Sequence, residues 1–272
     1  MWPQEPEKPS VNVRVIRVKF ESNTQIPADV QSEISREMRS HTLAVDADSD
    51  YLKDAAIEIA EVVVRGRLQN HGYFRVLPDA KLNVLRADSS DIQVVATVSA
   101  ELGPQYRVGT IKIVPADSDK RLSLSAKALR KEMELQSNEI LNVDKLRMDL
   151  RRITSIYWKF GFIDMTAEPE FNVDDTKSVI DIVLRIDEQK QYRMGEVEIW
   201  GLGEPAREQF LKSLPRPGEI FDRLKVEDSF KTNKSNLPPE TSYDDDVSFR
   251  RNPKAGTMSL LFDFRRCPEQ MK

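Results

Sequence analysis

Tyr106-Arg-Val-Gly109-Thr-Ile111-Lys-Ile113 and Tyr192-Arg-Met-Gly195-Glu-Val197-Glu-Ile199 are two versions of one stretch. Each opens on Tyr-Arg, places a glycine three residues after the tyrosine and runs into alternating apolar residues, the period-2 pattern of a strand with one buried face. A second pair of landmarks lies upstream of them. His71-Gly72-Tyr73-Phe74 and Phe160-Gly161-Phe162-Ile163 each close a long stretch of helical periodicity. The pattern recurs at roughly 85–90 residues, the spacing of a string of small domains. Surfaces in series favour binding and scaffolding over one deep catalytic site.

Composition narrows the classes further. Charged residues make up 32% of the 272-residue chain and hydrophobic residues 39%, the balance of an ordinary globular protein. The net charge is only −4, with both signs interleaved and no basic stripe of the kind nucleic-acid binding requires. No apolar run approaches the roughly 18 residues of a membrane helix. A single cysteine, Cys267, excludes an internal disulfide or a cysteine-cluster metal site. Residues 1–10 carry three prolines and no apolar core. They do not read as a signal peptide and are expected to be a disordered lead-in.

Three repeats of strand, two helices and two strands follow, at residues 11–103, 104–189 and 190–266, with a short tail at 267–272. In the first, Val11–Phe20 is β-branched and strand-like. Pro27 introduces a helix with Val30, Ile34 and Met38 on one face. A longer helix from Asp50 carries an expected stripe of Ile57, Ala60, Val64 and Leu68. Gly72 ends it, since glycine takes the left-handed conformation without steric cost. Strands are expected at Phe74–Leu85 and Asp91–Leu102 around a polar turn, Ala87–Ser90. In the second repeat, strand Arg107–Val114 precedes helix Ser123–Leu135. A second helix begins near Asn142, with stripe Leu146, Leu150, Ile153, Tyr157 and Phe160. Gly161 ends it, and strands follow at Asp164–Phe171 and Ser178–Ile186. The third repeat opens on Arg193–Trp200, with a helix over Pro205–Leu214 stopped by Pro215 and Pro217. Glu219-Ile220 lines up with Glu139-Ile140. Its second helix has no long stripe and no glycine-aromatic pair. Its hairpin is expected at Asp246–Arg251 and Thr257–Arg265.

The last two strands of each repeat are close enough in sequence to form an antiparallel hairpin. The first joins by way of the helices, which then cover one face of the sheet. Pro78 and Pro169 fall in the middle strands, and a residue without an N–H donor is confined to edges, strand starts or bulges. Each sheet is therefore expected to be three-stranded and mixed, with the middle strand at an edge and the last strand central. The fold class is α+β, three tandem β-α-α-β-β repeats, elongated overall.

This order of motifs resembles the POTRA (polypeptide-transport-associated) domain. The likeness is fullest over Tyr106–Ile186, where Tyr157 precedes Gly161-Phe162 at the family spacing, and extends over roughly residues 11–266. The first repeat has Gly72-Tyr73 but Leu68 in place of the upstream tyrosine, and a longer insertion between its helices. The third lacks the glycine-aromatic pair. The motif residues are Tyr106, Gly109, Tyr157, Gly72, Tyr73, Gly161, Phe162, Tyr192 and Gly195. The resemblance implies a periplasmic module of an outer-membrane protein assembly or translocation factor. Its implied partners are unfolded outer-membrane proteins or assembly-complex subunits. Family members usually carry a carboxy-terminal barrel, for which the residues up to Lys272 leave no room. The chain reads either as an excised fragment or as a barrel-less relative.

Edge strands give a physical account of binding, because their unpaired N–H and C=O groups can pair with another extended chain. The candidate partner-binding residues are Val76, Pro78, Ala80 and Leu82 on one edge and Met165, Ala167, Pro169 and Phe171 on another. The alternative is that Pro78, Pro169, Glu168 and Glu170 only guard those edges, and the chain is a rigid docking spacer. Tyr73 and Phe162 are expected to pack between helix and sheet. An enzyme reading would use Gly201-Leu-Gly203-Glu-Pro-Ala206 with Asp222, the outline of a dinucleotide fingerprint. Pro215 cuts its helix and no apolar strand precedes Asp222, so a tight strand-to-helix turn is the expected role. His41 and His71 lack metal-ligand spacing, and Asp244–Asp246 lacks the spacing of a calcium loop. No Gly-x-Ser-x-Gly is present. No cofactor, metal or nucleic acid is expected.

Overall fold

A computed structural model describes residues 10–22, 25–46, 50–88 and 91–265. Cys267, the tail, Ser89-Ser90 of the first hairpin turn and lead-in residues 1–9 lie outside them. Ser10, assigned above to the lead-in, already belongs to the first strand.

The first repeat contains β1 (Ser10–Phe20), α1 (Ala28–Ser40), β2 (Thr42–Asp46), α2 (Tyr51–Glu58), α3 (Arg65–Asn70), β3 (Leu77–Ala87) and β4 (Asp91–Glu101). A π-helical stretch, Ile59–Val64, joins α2 to α3. Its sheet runs β2-β1-β4-β3, with β1 parallel to β4 and β3 antiparallel to it. Val30, Ile34 and Met38 of α1 are buried as the pattern required. The long-helix stripe needs correction. Ala60, Val64 and Leu68 are buried as expected, but Ile57 is exposed, and Ala55, Ile59 and Val63 complete the buried face in its place. The wider π turns change the angle per residue, so a constant 3.6-residue period misplaces the face.

The sheet has four strands where three were expected. The insertion between the helices supplies β2, which pairs antiparallel with the start of β1, Asn12 opposite Ala44. Thr42-Leu43-Ala44-Val45-Asp46 turns Val45 inward and Thr42, Ala44 and Asp46 outward. That short alternation suits an edge position.

The second repeat contains β5 (Arg107–Pro115), α4 (Ala126–Lys131), α5 (Val143–Lys159), β6 (Thr166–Asp174) and β7 (Val179–Asp187), with sheet order β5-β7-β6. The third contains β8 (Arg193–Trp200), α6 (Ala206–Ser213), α7 (Arg223–Thr232), α8 (Tyr243–Asp246), β9 (Val247–Asn252) and β10 (Thr257–Asp263), with sheet order β8-β10-β9. In both, the last strand is central and the middle strand is an edge, as Pro169 indicated for the second repeat. Helix α4 is shorter than the Ser123–Leu135 expected; Ser125 caps it by accepting from the Ala128 N–H. Leu146, Ile153 and Tyr157 of α5 are buried, Leu150 half-buried and Phe160 exposed, because Phe160 stands just past the helix end.

Contacts divide the chain into two compact units. One comprises the described residues up to Ile111 with Leu135–Arg147 and Phe171–Ile182. The other comprises Lys112–Glu134, Met148–Glu170 and the described residues from Val183 onward. The dividing line runs through the second repeat.

The repeated strand glycines have a packing reason. A Cβ at Gly195 would lie 2.5 Å from the Ser259 hydroxyl, and one at Gly109 would lie 2.2 Å from an Asp181 carboxylate oxygen. Those side chains occupy the glycine's space and accept from the next N–H, that of Glu196 or Thr110. The third core is aromatic: Phe210 meets Phe262 edge-on with centroids 4.8 Å apart and Phe264 at 6.0 Å. Phe210→Ala is expected to cost roughly 3–5 kcal/mol, read as a lower denaturant midpoint; a change under about 1 kcal/mol would mean that this core is not packed as described.

Candidate functional site: edge strands and repeat junctions

The two helix-ending glycines build the same joint twice. Helix α3 ends in a Schellman turn, with Tyr73 N–H donating to the Leu68 carbonyl and Gly72 N–H to that of Gln69. Helix α5 ends identically, Phe162 donating to Tyr157 and Gly161 to Trp158. Both glycines have positive φ, +84° and +79°, where a side chain is strained. In the second cap the Tyr157 and Phe162 rings meet at 5.6 Å, the apolar contact that accompanies such turns.

Each cap then receives the opening of the next repeat. Tyr106 N–H donates to the Gly72 carbonyl and Tyr192 N–H to the Gly161 carbonyl, both at 2.9 Å. The preceding glutamines add a second bond, Gln105 Nε2 to His71 O and Gln191 Nε2 to Phe160 O. The tyrosine carbonyls accept in turn from Leu141 and Phe221. That fixes the Glu-Ile segments, seen as antiparallel bridges Arg107–Ile140 and Arg193–Ile220. The fit leaves no room at the glycines. A Cβ on Gly72 would come within 2.7 Å of Ile140 Cγ2 and 2.9 Å of the Tyr106 oxygen, and one on Gly161 within 2.5 Å of the Tyr192 oxygen.

Both tyrosine rings are buried, and each hydroxyl donates to a carboxylate paired with an arginine. Tyr106 donates to Asp175, which pairs with Arg75 at 2.8 Å. Tyr192 donates to Asp164, which pairs with Arg251. Tyr157 donates to Glu188, which also accepts from the amide and hydroxyl of Ser123. The first joint adds a two-way bond between Asn70 and Asp144 and Phe74 packed on Tyr106 and Phe171. The second adds Arg223, whose guanidinium lies 4.0 Å over the Trp158 ring.

The expected edge residues fall on β3 and β6, but not as a free surface. Val76, just before β3, and Ala80 are buried; Pro78 and Leu82 are half-buried. Met165 is buried, and Ala167, Pro169 and Phe171 are half-buried. These residues share the inward side of their strands, while Leu77, Asp79, Lys81, Thr166, Glu168 and Glu170 point outward. Phe171 is also taken by Phe74. What a partner would meet on either edge is the strand backbone and that outward set.

The structure locates the other sequence candidates. Tyr73 is half-buried against the first core, and Phe162 is buried. Gly201 has φ +77° and a Cβ there would lie 2.7 Å from Phe264 C and Arg265 N. The turn is filled by the chain itself, in agreement with a strand-to-helix turn. Asp222 caps α7, accepting from the Lys225 N–H. His71 Nε2 lies 3.1 Å from Glu33, and His41 faces the carbonyl of Glu37. Among the described residues no group of three or more His, Cys, Asp or Glu is placed to hold a metal. No helix among them is long and apolar enough to cross a membrane. The third repeat ends differently: Asn233 bonds the Ser229 carbonyl and Ser213 hydroxyl in place of a glycine turn.

Sequence reasoning found the glycines, the tyrosines and Glu-Ile. It missed Gln105, Gln191, Phe74, and the acid–arginine pairs. The shared Gln-Tyr-Arg of the two openings was the available signal.

The family model described as "POTRA: Surface antigen variable number repeat" matches residues 106–189. BamA POTRA3-5 from Haemophilus influenzae is 14% identical with TM-score 0.64, covering 94% of this chain and 97% of that one; the likeness establishes the fold. POTRA1-3 of the periplasmic domain of Omp85 from Anabaena is 14% identical with TM-score 0.34, covering 96% and 98%. No curated protein sequence matches the chain.

Two outcomes test the joints. Gly161→Ala is expected to cost roughly 2–4 kcal/mol from the left-handed backbone and the close Tyr192 oxygen, seen in urea unfolding; a neutral result would contradict the close fit. The hydroxyls of Tyr106, Tyr157 and Tyr192 are held above the ordinary tyrosine value of 10.0, by burial first and by their carboxylate bonds second. The unfolded chain therefore ionises first. Stability is expected to be level below about pH 10 and to fall as pH rises beyond it; a flat profile to higher pH would refute the raised values.

Proposed function

With residues 106–189 a POTRA domain in a chain that has the fold of a POTRA tandem, we propose that it is a periplasmic polypeptide-binding and scaffolding module of an outer-membrane protein assembly or translocation factor. In this reading its three domains are 11–103, 104–189 and 190–266. It is not an enzyme, and it works by adding extended segments of unfolded outer-membrane proteins or of assembly subunits to its edge strands. The observation that supports this most is the strand order. Strands β3, β6 and β9 each stand at the edge of their sheet, with one row of main-chain groups turned from the central strand. Main-chain pairing gives sequence-tolerant affinity, which suits many unfolded clients.

A second reading is favoured by the joints. Phe171 packs against Phe74, and Asp164, just before β6, is held by Tyr192 and Arg251. Both ends of that hairpin strand thus serve structure, which suits a spacer that docks a fixed partner. Strand addition then rests chiefly on β3 and on Thr166–Glu170.

Hydrogen exchange with and without a peptide from an unfolded outer-membrane barrel separates the two. Strand addition is expected to give new amide protection within Leu77–Lys81 or Thr166–Glu170, lost in Ala80→Pro for the first edge. No protection at saturating peptide would remove strand addition for this ligand class and leave the docking spacer.

A further inference from the structure

The two joints share their backbone geometry but reverse their charges. Gly72 and Gly161 are equivalent, so Arg75 and Asp164, each three residues later, occupy the same place on the donating repeat. Arg75 meets Asp175 in the β6–β7 turn at 2.8 Å. Asp164 meets Arg251, near the tip of the β9–β10 hairpin, at 2.5 Å. Donor and receiver are thus plus-to-minus at the first joint and minus-to-plus at the second. The tyrosine follows the acid in both cases. Its hydroxyl donates to Asp175 on the receiving hairpin in the first joint and to Asp164 on the donating cap in the second.

We propose that this reversal is an address code: Arg75 and Asp164 on the caps, with Asp175 and Arg251 on the hairpins, select which repeat surface each cap accepts. The hydrogen bonds of Gln105, Tyr106, Gln191 and Tyr192 are common to both joints and cannot discriminate. The charges can. The cap of the first repeat offered to the hairpin of the third would set Arg75 against Arg251. The cap of the second repeat offered to the hairpin of a second copy's own second repeat would set Asp164 against Asp175. Both wrong pairings bring like charges together, the repulsive element that specificity needs. A head-to-tail contact that does not close would otherwise propagate into a chain of molecules.

Among the described residues the first repeat offers no third receiver of this kind. Asn12, opposite the first residue of its central strand as Arg193 is in the third, pairs with Ala44 of β2. Ala44 thus stands where Ile140 and Ile220 stand in the receiving repeats, and Val11 stands where the tyrosines do. A strand closes the surface that elsewhere grips a glycine cap.

Arg75, Asp175 and Arg251 are solvent-exposed and Asp164 is half-buried, so each pair contributes modestly to closing a joint, and its main effect is on which surfaces can meet. Amide exchange of Tyr106 and Tyr192 reads each joint separately, because those N–H groups donate across it. Arg75→Asp is expected to speed exchange at Tyr106 at least two- to fivefold and to leave Tyr192 and the β4 amide of Val94 unchanged. Arg75→Asp with Asp175→Arg is expected to restore slow exchange, since it recreates the acid-on-cap pattern already found at the second joint. Arg75→Gln is expected to fall between. Arg75→Asp with Asp164→Arg, which exchanges the caps, is expected to leave both tyrosine amides fast. Unchanged exchange at Tyr106 in Arg75→Asp, or no recovery in the double reversal, would overturn the code. Acceleration at Val94 as well would show loss of the first repeat instead of the joint, and would equally count against it.

Discussion

The hydrogen bond from a tyrosine amide to the carbonyl of a helix-ending glycine is the constraint around which this chain is arranged. It occurs at Tyr106–Gly72 and again at Tyr192–Gly161. Only a left-handed residue without a Cβ can turn its carbonyl outward there while a neighbouring backbone oxygen stands within 3 Å of the missing Cβ. The tyrosine is fixed in turn by its ring, buried beside the cap, and by its hydroxyl, satisfied on a carboxylate. A buried hydroxyl without such a partner would be costly, which is why an acid accompanies each tyrosine. The arginines then answer the acids, and the Glu-Ile segments close over the glycines. One backbone bond thus accounts for residues from four separate stretches of sequence at each joint.

That arrangement also decides which surfaces are left for binding. The hairpins supply one edge of each sheet, β3, β6 and β9, and the joints draw on the ends of those same hairpins. Phe171 and Asp164 mark where structure takes over from surface. Backbone recognition suits clients that share a conformation more than a sequence.

Much of this was legible in the sequence because the signals are local. Alternation, helix stripes, proline placement and glycine stops each act over a few residues, and they yielded three repeats and the position of the central strands. The failures share another cause. Ile57 was misassigned because a π turn breaks the constant helical period, and nothing in the side chains announces it. Strand β2 was hidden because Thr42–Asp46 is only as long as a loop and becomes a strand by pairing with β1. Phe160 followed the helical stripe by period but stands past the helix end, between it and the Gly161 cap. The acid–arginine pairs were invisible because their members lie tens of residues apart and are surface charges, which sequence alone does not distinguish from solvated ones. The candidate edge residues lie on or beside strands that stand at sheet edges, but by parity they are the inward-facing half.

The scalar coupling transmitted through a hydrogen bond, from the amide nitrogen of Tyr192 to the carbonyl carbon of Gly161 and from Tyr106 to Gly72, tests the central claim most directly. Both couplings are expected to be detectable in the isotope-labelled chain in solution, since the donor–acceptor distances are 2.9 Å in each joint. Absence of both, with couplings still present within the β3–β4 pairing of the first sheet, would contradict the account: the repeats would then be joined by something other than the glycine caps.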